Sequence, residues 1–181
     1  LGYLQGSHKS VVTSVSSLSP YNTSTFMALD PQTRRNLELF KSGRWGTGDN
    51  SLLSVLDFTK TPMGSRVLRR WVGQPLLKLG DLQGRQDKVE FFFSDFASRE
   101  RTRECLSHIS DLERIVGRNL IGRATPRDLL ALKQSLEAAV DLSNVLQETQ
   151  TTSIDRLDGL LGNWDDLIVL ICEAIEPDPQ G

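Results

Sequence analysis

The sequence predicts a mainly α-helical bundle with a short β-hairpin near its N-terminus. Apolar residues recur at helical spacing from about Ile154 to Ile175, the strongest periodic signal in the chain. Two Thr-Pro dipeptides, Thr61–Pro62 and Thr125–Pro126, are typical of helix N-termini, because threonine caps the helix and proline needs no hydrogen-bond acceptor at the first position. Two short apolar runs, Phe26–Asp30 and Asn36–Phe40, flank a proline-containing segment and predict the hairpin.

Residues 1–25 differ in composition from the rest. Ten of the nineteen residues from Ser7 to Thr25 are Ser or Thr, so this stretch offers little for a core. We interpret it as a linker with a short strand at Val11–Val15. The chain starts at Leu1 rather than Met, which we interpret as a fragment of a longer protein.

The helical part of the sequence begins at about Ser51, which with Asn50 is a candidate cap. The first predicted helix follows this cap. A second helix starts at Pro62, and Gly73 and Pro75 end it. Further helices are predicted from Leu79 or Asp81 to Phe93, from a cap at Ser94 or Ser98 to Ile109, from Leu112 to Leu120, and from Pro126 to about Leu146. In the last of these, Asp128 completes a capping box with Thr125, and the predicted apolar seam consists of Leu129, Leu132, Leu136 and Val140.

Composition argues against several classes of protein. The formal net charge is −2, although arginine outnumbers lysine 15 to 6, so bulk electrostatics does not predict a free-standing nucleic-acid-binding module. The sequence contains no apolar run of transmembrane length, so we expect no membrane partner. Cys105 and Cys172 are far apart in the sequence, and we expect both to be small apolar residues of the core. Their number and spacing indicate a reducing compartment.

No catalytic, cofactor-binding or metal-binding residue is predicted. The glycine-rich loop Lys41–Asn50 lacks the Gly-Lys-Ser/Thr ending of a phosphate loop. We expect no acidic or cysteine partner at ligand spacing for His8 or His108. Phe91, Phe92 and Phe93, with Phe96, could stack on bases, but consecutive aromatic residues on a helix cannot share one face, so packing in a core or an interface is favoured.

The stretch Thr61–Leu76 carries the candidate interface residues Arg66, Arg69 and Arg70. On a helical wheel the three arginines fall at roughly 240–340°, whereas the apolar residues fall at roughly 0–180°. The apolar half consists of Met63, Val67, Leu68, Trp71 and Val72. This separation predicts a helix wedged into a bundle, with arginines available for pairing within the chain, for another domain or for the DNA backbone.

Three long stretches, and a short one at the end of the sequence, carry a family resemblance. They are FMALDPQTRRNLEL followed by SLLSVLDFTKTPMGSRVLRRWVGQPL, then VGRNLIGRATPRDLLALKQSL, and finally AIEPDPQ. Together they resemble the core, or lever, domain of the bacterial MutS family of DNA mismatch repair proteins. The resemblance implies that residues 1–25 are the end of a connector domain and its linker, and that residues 26–181 are the first part of the helical core domain, before the DNA clamp.

The resemblance also implies what this segment lacks. Such proteins recognise mismatches with a Phe-x-Glu motif and hydrolyse ATP, with Mg, through a phosphate loop, and neither motif occurs here. We therefore expect a non-catalytic coupler whose partners in the parent protein are its other domains, mismatched double-stranded DNA and a second MutS-like subunit. A cytoplasmic, nucleoid-associated bacterial location follows from the same resemblance.

Two alternatives stay open at this point. The arginines could contact nucleic acid directly, or the bundle could be a helical protein-interaction scaffold unrelated to repair. The resemblance further predicts an exposed apolar strip on the last helix, or self-association that covers it, because helices that complete the family's core domain are absent here.

Overall fold

The computed structural model describes residues 25–42, 50–148 and 164–176. Eight helices lie in these ranges: α1 Pro31–Asn36, α2 Leu52–Leu56, α3 Pro62–Gly73, α4 Leu79–Ser94, α5 Phe96–Ser107, α6 Leu112–Leu120, α7 Pro126–Glu148 and α8 Asp165–Ala174. The prediction of a mainly helical fold is confirmed. None of the helices in the described ranges has the length and apolar character needed to cross a membrane.

Helix α7 is the central element, and α5, α6 and α8 pack against it. Its buried surface consists largely of small residues, including Ser135, Ala138 and Ala139, which lets neighbouring helices approach closely. Ile109, which follows α5, completes the buried cluster. Half-buried residues surround this cluster: Met63, Leu106, Leu112 and Leu142. The predicted seam of α7 is only partly correct, because Leu136 is buried but Val140 is exposed.

Both predicted Thr-Pro helix starts are confirmed. At α3, the Thr61 hydroxyl accepts a 3.0 Å hydrogen bond from the Gly64 N–H, and Pro62 occupies the first turn. At α7, the Thr125 N–H donates to Asp128 Oδ2 at 2.9 Å, and the Asp128 N–H donates to Thr125 Oγ1 at 3.3 Å. This reciprocal pair is the predicted capping box, so local sequence sets both helix origins.

The predicted hairpin between Phe26 and Phe40 is wrong. Asp30 caps α1 by accepting a 2.8 Å hydrogen bond from the Thr33 N–H, and Pro31 takes the first helical position. The same Asp-Pro pair that suggested a turn therefore starts a helix. Phe26 instead forms an antiparallel bridge with Leu76, beyond the end of α3. The predicted strand at Val11–Val15 lies outside the described residues.

The start of α5 also differs from the prediction. The N-cap of α5 is Asp95, rather than Ser94 or Ser98, because its carboxylate accepts from the Ser98 N–H at 3.0 Å. Asp95 is also the C-cap of α4, so one residue joins the two helices.

The last predicted helix, from about Ile154 to Ile175, is described only from Trp164 onward. Trp164 occupies the N-cap position with φ −102° and ψ 2°, so the prediction of an uninterrupted helix is wrong at this residue. The predicted segment 154–163 lies outside the described residues. Within α8, Val169 and Leu170 are exposed, which agrees with the predicted apolar strip.

Candidate interdomain and nucleic-acid interface

Arg66 of α3 binds two carboxylates at the start of α6. Its Nη1 and Nη2 atoms donate to Asp111 at 2.9 and 2.8 Å, which is a two-pronged contact, and Nη2 also donates to Glu113 at 2.6 Å. Asp111 is at the same time the N-cap of α6, since it accepts from the Arg114 N–H at 3.3 Å. One guanidinium therefore fixes the N-terminus of α6 against α3, and its planar fork defines the orientation of the two helices.

The electrostatics of this contact follow from its hydrogen bonds. The Arg66 guanidinium holds the pKa of Asp111 below its usual value, and the Arg114 N–H acts in the same direction. The hydrogen bonds to Asp111 and Glu113 raise the pKa of Arg66. Because about half of the Arg66 side chain is exposed, solvent screens the attraction, so the contact orients helices more than it stabilises the fold.

The other two candidate arginines lie in different surroundings. The Arg69 guanidinium lies 4.7 Å from the centroid of the Phe40 ring, a cation–π contact. Arg70 is exposed, and its side chain makes no hydrogen bond or ion pair with any residue that the structure describes. In the structure, therefore, Arg66 is paired with carboxylates, Arg69 stacks on Phe40, and Arg70 is exposed to solvent. Contact of any of these arginines with DNA stays a prediction.

Trp71 is not wedged into the bundle as its place on the apolar half of α3 suggested. It is 42% exposed, and the Arg85 guanidinium of α4 lies over its ring, 3.7 Å from the centroid. The predicted separation of Trp71 from the arginines of α3 is confirmed, because Arg66 and Arg69 contact Asp111 and Phe40 instead.

Sequence reasoning missed three polar contacts that join parts of the bundle. The buried Asp128 carboxylate accepts from Arg118, tying the end of α6 to the start of α7. Arg101 of α5 donates to Glu148 at the far end of α7 over 2.6 Å. The partners of the second pair are 47 residues apart, so no local signal could have found it. Asp128 did carry a signal, since the capping box placed its carboxylate beside the helix start.

A third contact joins the segment after α5 to the middle of α7. The Ser135 hydroxyl is fully buried, accepts from the Ser110 N–H at 2.9 Å and donates to the Ala131 carbonyl at 2.6 Å. A buried polar group of this kind is stable only with partners, and Ser135 has two.

The described residues contain no group of three or more side chains suited to hold a metal ion. The expectation that His108 has no acidic neighbour is wrong, because Glu104, one turn earlier on α5, lies 4.0 Å from its Nε2. Both groups are exposed, and a single such pair is an ordinary helix-surface contact. Cys105 is half-buried and Cys172 is exposed, so only Cys105 fits the predicted core position.

These observations define a helical domain in which arginine–carboxylate contacts connect helices that are distant in sequence. The family model described as MutS domain III matches residues 32–181. The chain therefore belongs to the MutS domain III family, as its resemblance predicted.

Individual relatives of the chain are DNA mismatch repair proteins. The chain is 37% identical to the DNA mismatch repair protein MutS of Methanothrix thermoacetophila, over 99% of its own length and 21% of that protein. It is 46% identical to MutS of a Roseiflexus species over 77% of its length and 13% of the relative. It is 40% identical to MutS of Symbiobacterium thermophilum, over 99% of its own length and 20% of the relative. The chain thus spans about a fifth, or less, of the relatives that it matches.

Proposed function

We propose that this domain is a non-catalytic helical lever in a DNA mismatch repair protein. In that role it couples the domains that hold mismatched DNA to a domain that hydrolyses ATP. Membership of the MutS domain III family supports the repair context, and the names of the relatives agree with it. The matching family model is described as one numbered domain of MutS, which supports a role as one part of a larger protein.

The observation that carries this proposal is the contact of Arg66 on α3 with Asp111 and Glu113 at the start of α6, which we call the Arg66 brace. A lever must keep its helices in fixed mutual orientation while neighbouring domains move, because a deformable element would absorb the motion. The fork of Arg66 on Asp111 joins residues 45 positions apart at well-defined geometry. The Arg101–Glu148 and Arg118–Asp128 contacts add the same kind of brace elsewhere in the bundle.

The remaining parts of the proposal concern the longer protein. ATP and Mg would bind in another domain, and this domain would bind neither. Its partners would be the other domains of the chain, a second MutS-like subunit and, through the whole assembly, mismatched double-stranded DNA. The protein would act in the cytoplasm at the bacterial nucleoid.

Arg66→Ala in a full-length protein carrying this domain tests the coupling. We expect ATP hydrolysis without DNA to stay unchanged and its response to mismatched DNA to weaken, because the brace between α3 and α6 is lost. Arg70→Ala is the matched control, since it removes an arginine of the same helix that has no described side-chain partner. An unchanged DNA response in Arg66→Ala would refute the lever role of this brace.

Direct nucleic-acid binding is the second candidate, and the exposure of Arg70 is the observation that favours it. If the domain acts only as a lever, the chain by itself should hydrolyse no ATP and should bind heteroduplex DNA no better than homoduplex DNA. A gel-shift titration at two salt concentrations, with the variant that changes Arg66, Arg69 and Arg70 to Ala, separates the candidates. Salt-sensitive binding that the triple variant abolishes would support direct contact and count against a purely mechanical role.

A further inference from the structure

Three helices meet at an exposed apolar groove of about 550 Å³, which we call the Trp71 groove. Trp71 of α3 forms one wall, and Val89, Phe92 and Phe93 of α4 form the other. Phe93 is 80% exposed and Val89 is 65% exposed, which is high for apolar side chains that adjoin one another. Adjoining exposed apolar residues of this kind mark a binding surface more often than an isolated one does.

The groove has a cationic rim. Arg85, Lys88 and Arg99 line it, and none of the described residues that line it is acidic. Arg99 is held in place because its Nη1 donates to the Phe92 carbonyl at 2.8 Å and to the Phe93 carbonyl at 3.1 Å. Arg85 is held by its stacking on Trp71. The charges of Arg85 and Arg99 are therefore held beside the apolar surface before any partner arrives. Glu100 lies 4.0 Å from Arg99 Nε and offsets part of that charge, so Arg85 and Lys88 are the main cations of the rim.

The spacing along α4 suits a helical partner. Arg85, Lys88, Val89 and Phe92 follow at intervals of three, one and three residues, so they share one face over two turns, a length of about 10 Å. A partner helix that presents two or three apolar residues to this face would bring the flanks of its apolar stripe to the cationic rim. Acidic residues on those flanks would meet opposite charge.

We propose that the Trp71 groove binds an acidic amphipathic helix, with apolar side chains on Val89, Phe92 and Phe93 and carboxylates at the cationic rim. Single-stranded nucleic acid fits less well, because Arg85 already covers a face of Trp71 on which a base would stack. The groove is separate from the Arg66 brace, so this proposal stands whether or not the lever role is correct.

Fluorescence anisotropy of labelled ligands tests the proposal on the whole chain. The probes are a synthetic helical peptide of about 15 residues with Leu and Phe on one face and Glu on its flanks, the same peptide with Lys replacing Glu, and an oligothymidylate. The acidic peptide should bind best, and raised salt should weaken it. Phe93→Ala and Lys88→Glu should each weaken it by about tenfold, because they remove an apolar anchor and reverse a rim charge.

Two matched variants serve as controls. Phe58→Ala removes a phenylalanine that is 76% exposed but lies outside the groove, and Lys60→Glu reverses an exposed charge elsewhere. Both should leave binding unchanged. The proposal is overturned if the basic peptide binds as well as the acidic one, or if Phe58→Ala weakens binding as much as Phe93→Ala. It is also overturned if the oligothymidylate binds most tightly, or if a dimer of this chain that Phe93→Ala dissolves occupies the groove.

Discussion

Replacing Ser135 by Ala should destabilise the bundle at the point where α7 meets the segment after α5. The Ser135 hydroxyl is fully buried and is the acceptor for the Ser110 N–H at 2.9 Å. The variant removes that acceptor while leaving the backbone of α7 intact. Since the Ala131 carbonyl can keep its helical hydrogen bond, the orphaned Ser110 N–H is the main loss.

The magnitude follows from two opposing terms. Leaving a donor without a partner costs about 1–3 kcal/mol, and the lower half applies because Ser110 is only half-buried. The higher helix propensity of alanine offsets up to about 0.5 kcal/mol. We therefore expect a net destabilisation of about 0.5–2 kcal/mol.

Urea unfolding followed by circular dichroism measures this change. With a slope in the middle of the usual range, about 2 kcal/mol per molar urea, the midpoint should fall by roughly 0.3–1 M. Ser143→Ala is the matched control, because Ser143 lies on the same helix and, among the described residues, its hydroxyl accepts only a 3.4 Å contact from Gln147. The reasoning is refuted if the two variants have the same free energy of unfolding.

Three further predictions concern charged and thiol groups. Asp128→Asn should destabilise the domain by about 1–2 kcal/mol in the same titration, because it removes the charge from a buried, hydrogen-bonded carboxylate. Arg66 lowers the pKa of Asp111 from its ordinary value, so the stability from this contact is present above that ordinary pKa and is lost as the pH falls through the lower pKa of the folded state. Arg66→Ala should therefore flatten the decline of the melting temperature between about pH 5 and pH 2. Burial raises the pKa of the Cys105 thiol, so the exposed Cys172 should react first with a thiol reagent at about pH 8, as read by mass spectrometry.

Each of these has its own control. Asp87→Asn changes an exposed carboxyl group and should leave the urea midpoint unchanged; an equal effect of both substitutions would contradict the assigned role of Asp128. Arg70→Ala should keep the acid dependence of the parent chain, and a flattened curve there would show that general charge explains it. Faster labelling of Cys105 than of Cys172 would contradict the burial argument.

Local signals in the sequence predicted the starts of α3 and α7 correctly. Thr61 and Thr125 each supply a hydroxyl to the first turn, and the following proline fits only there, so a few neighbouring residues determine the result. The Asp30–Pro31 pair carried the same signal, yet two short apolar runs favoured a hairpin. Hydrophobic runs of five residues do not distinguish a strand from a loop that packs on a helix end.

Contacts between distant parts of the chain were outside the reach of sequence reasoning. A helical wheel placed Trp71 on an apolar half, but it could not tell that Arg85 of another helix would stack on the exposed ring. In the same way, the wheel left the arginines of α3 available for pairing without naming a partner, and only the folded chain shows that Arg66 meets Asp111. The buried face of α7 was also hard to predict, because Ser135 is polar and carries no apolar signal.

The single residue between α4 and α5 has a consequence for how this chain tolerates change. Asp95 ends one helix and caps the next, so the connection contains no spare length. An inserted residue at this junction would rotate α5 by about 100° about its own axis, because each helical residue turns by that angle. Arg99 would then leave the Phe92 and Phe93 carbonyls, and the aromatic wall and its cationic rim would fall out of register. Chain length at this junction therefore keeps the groove in its present shape, together with the cap that the Asp95 carboxylate provides.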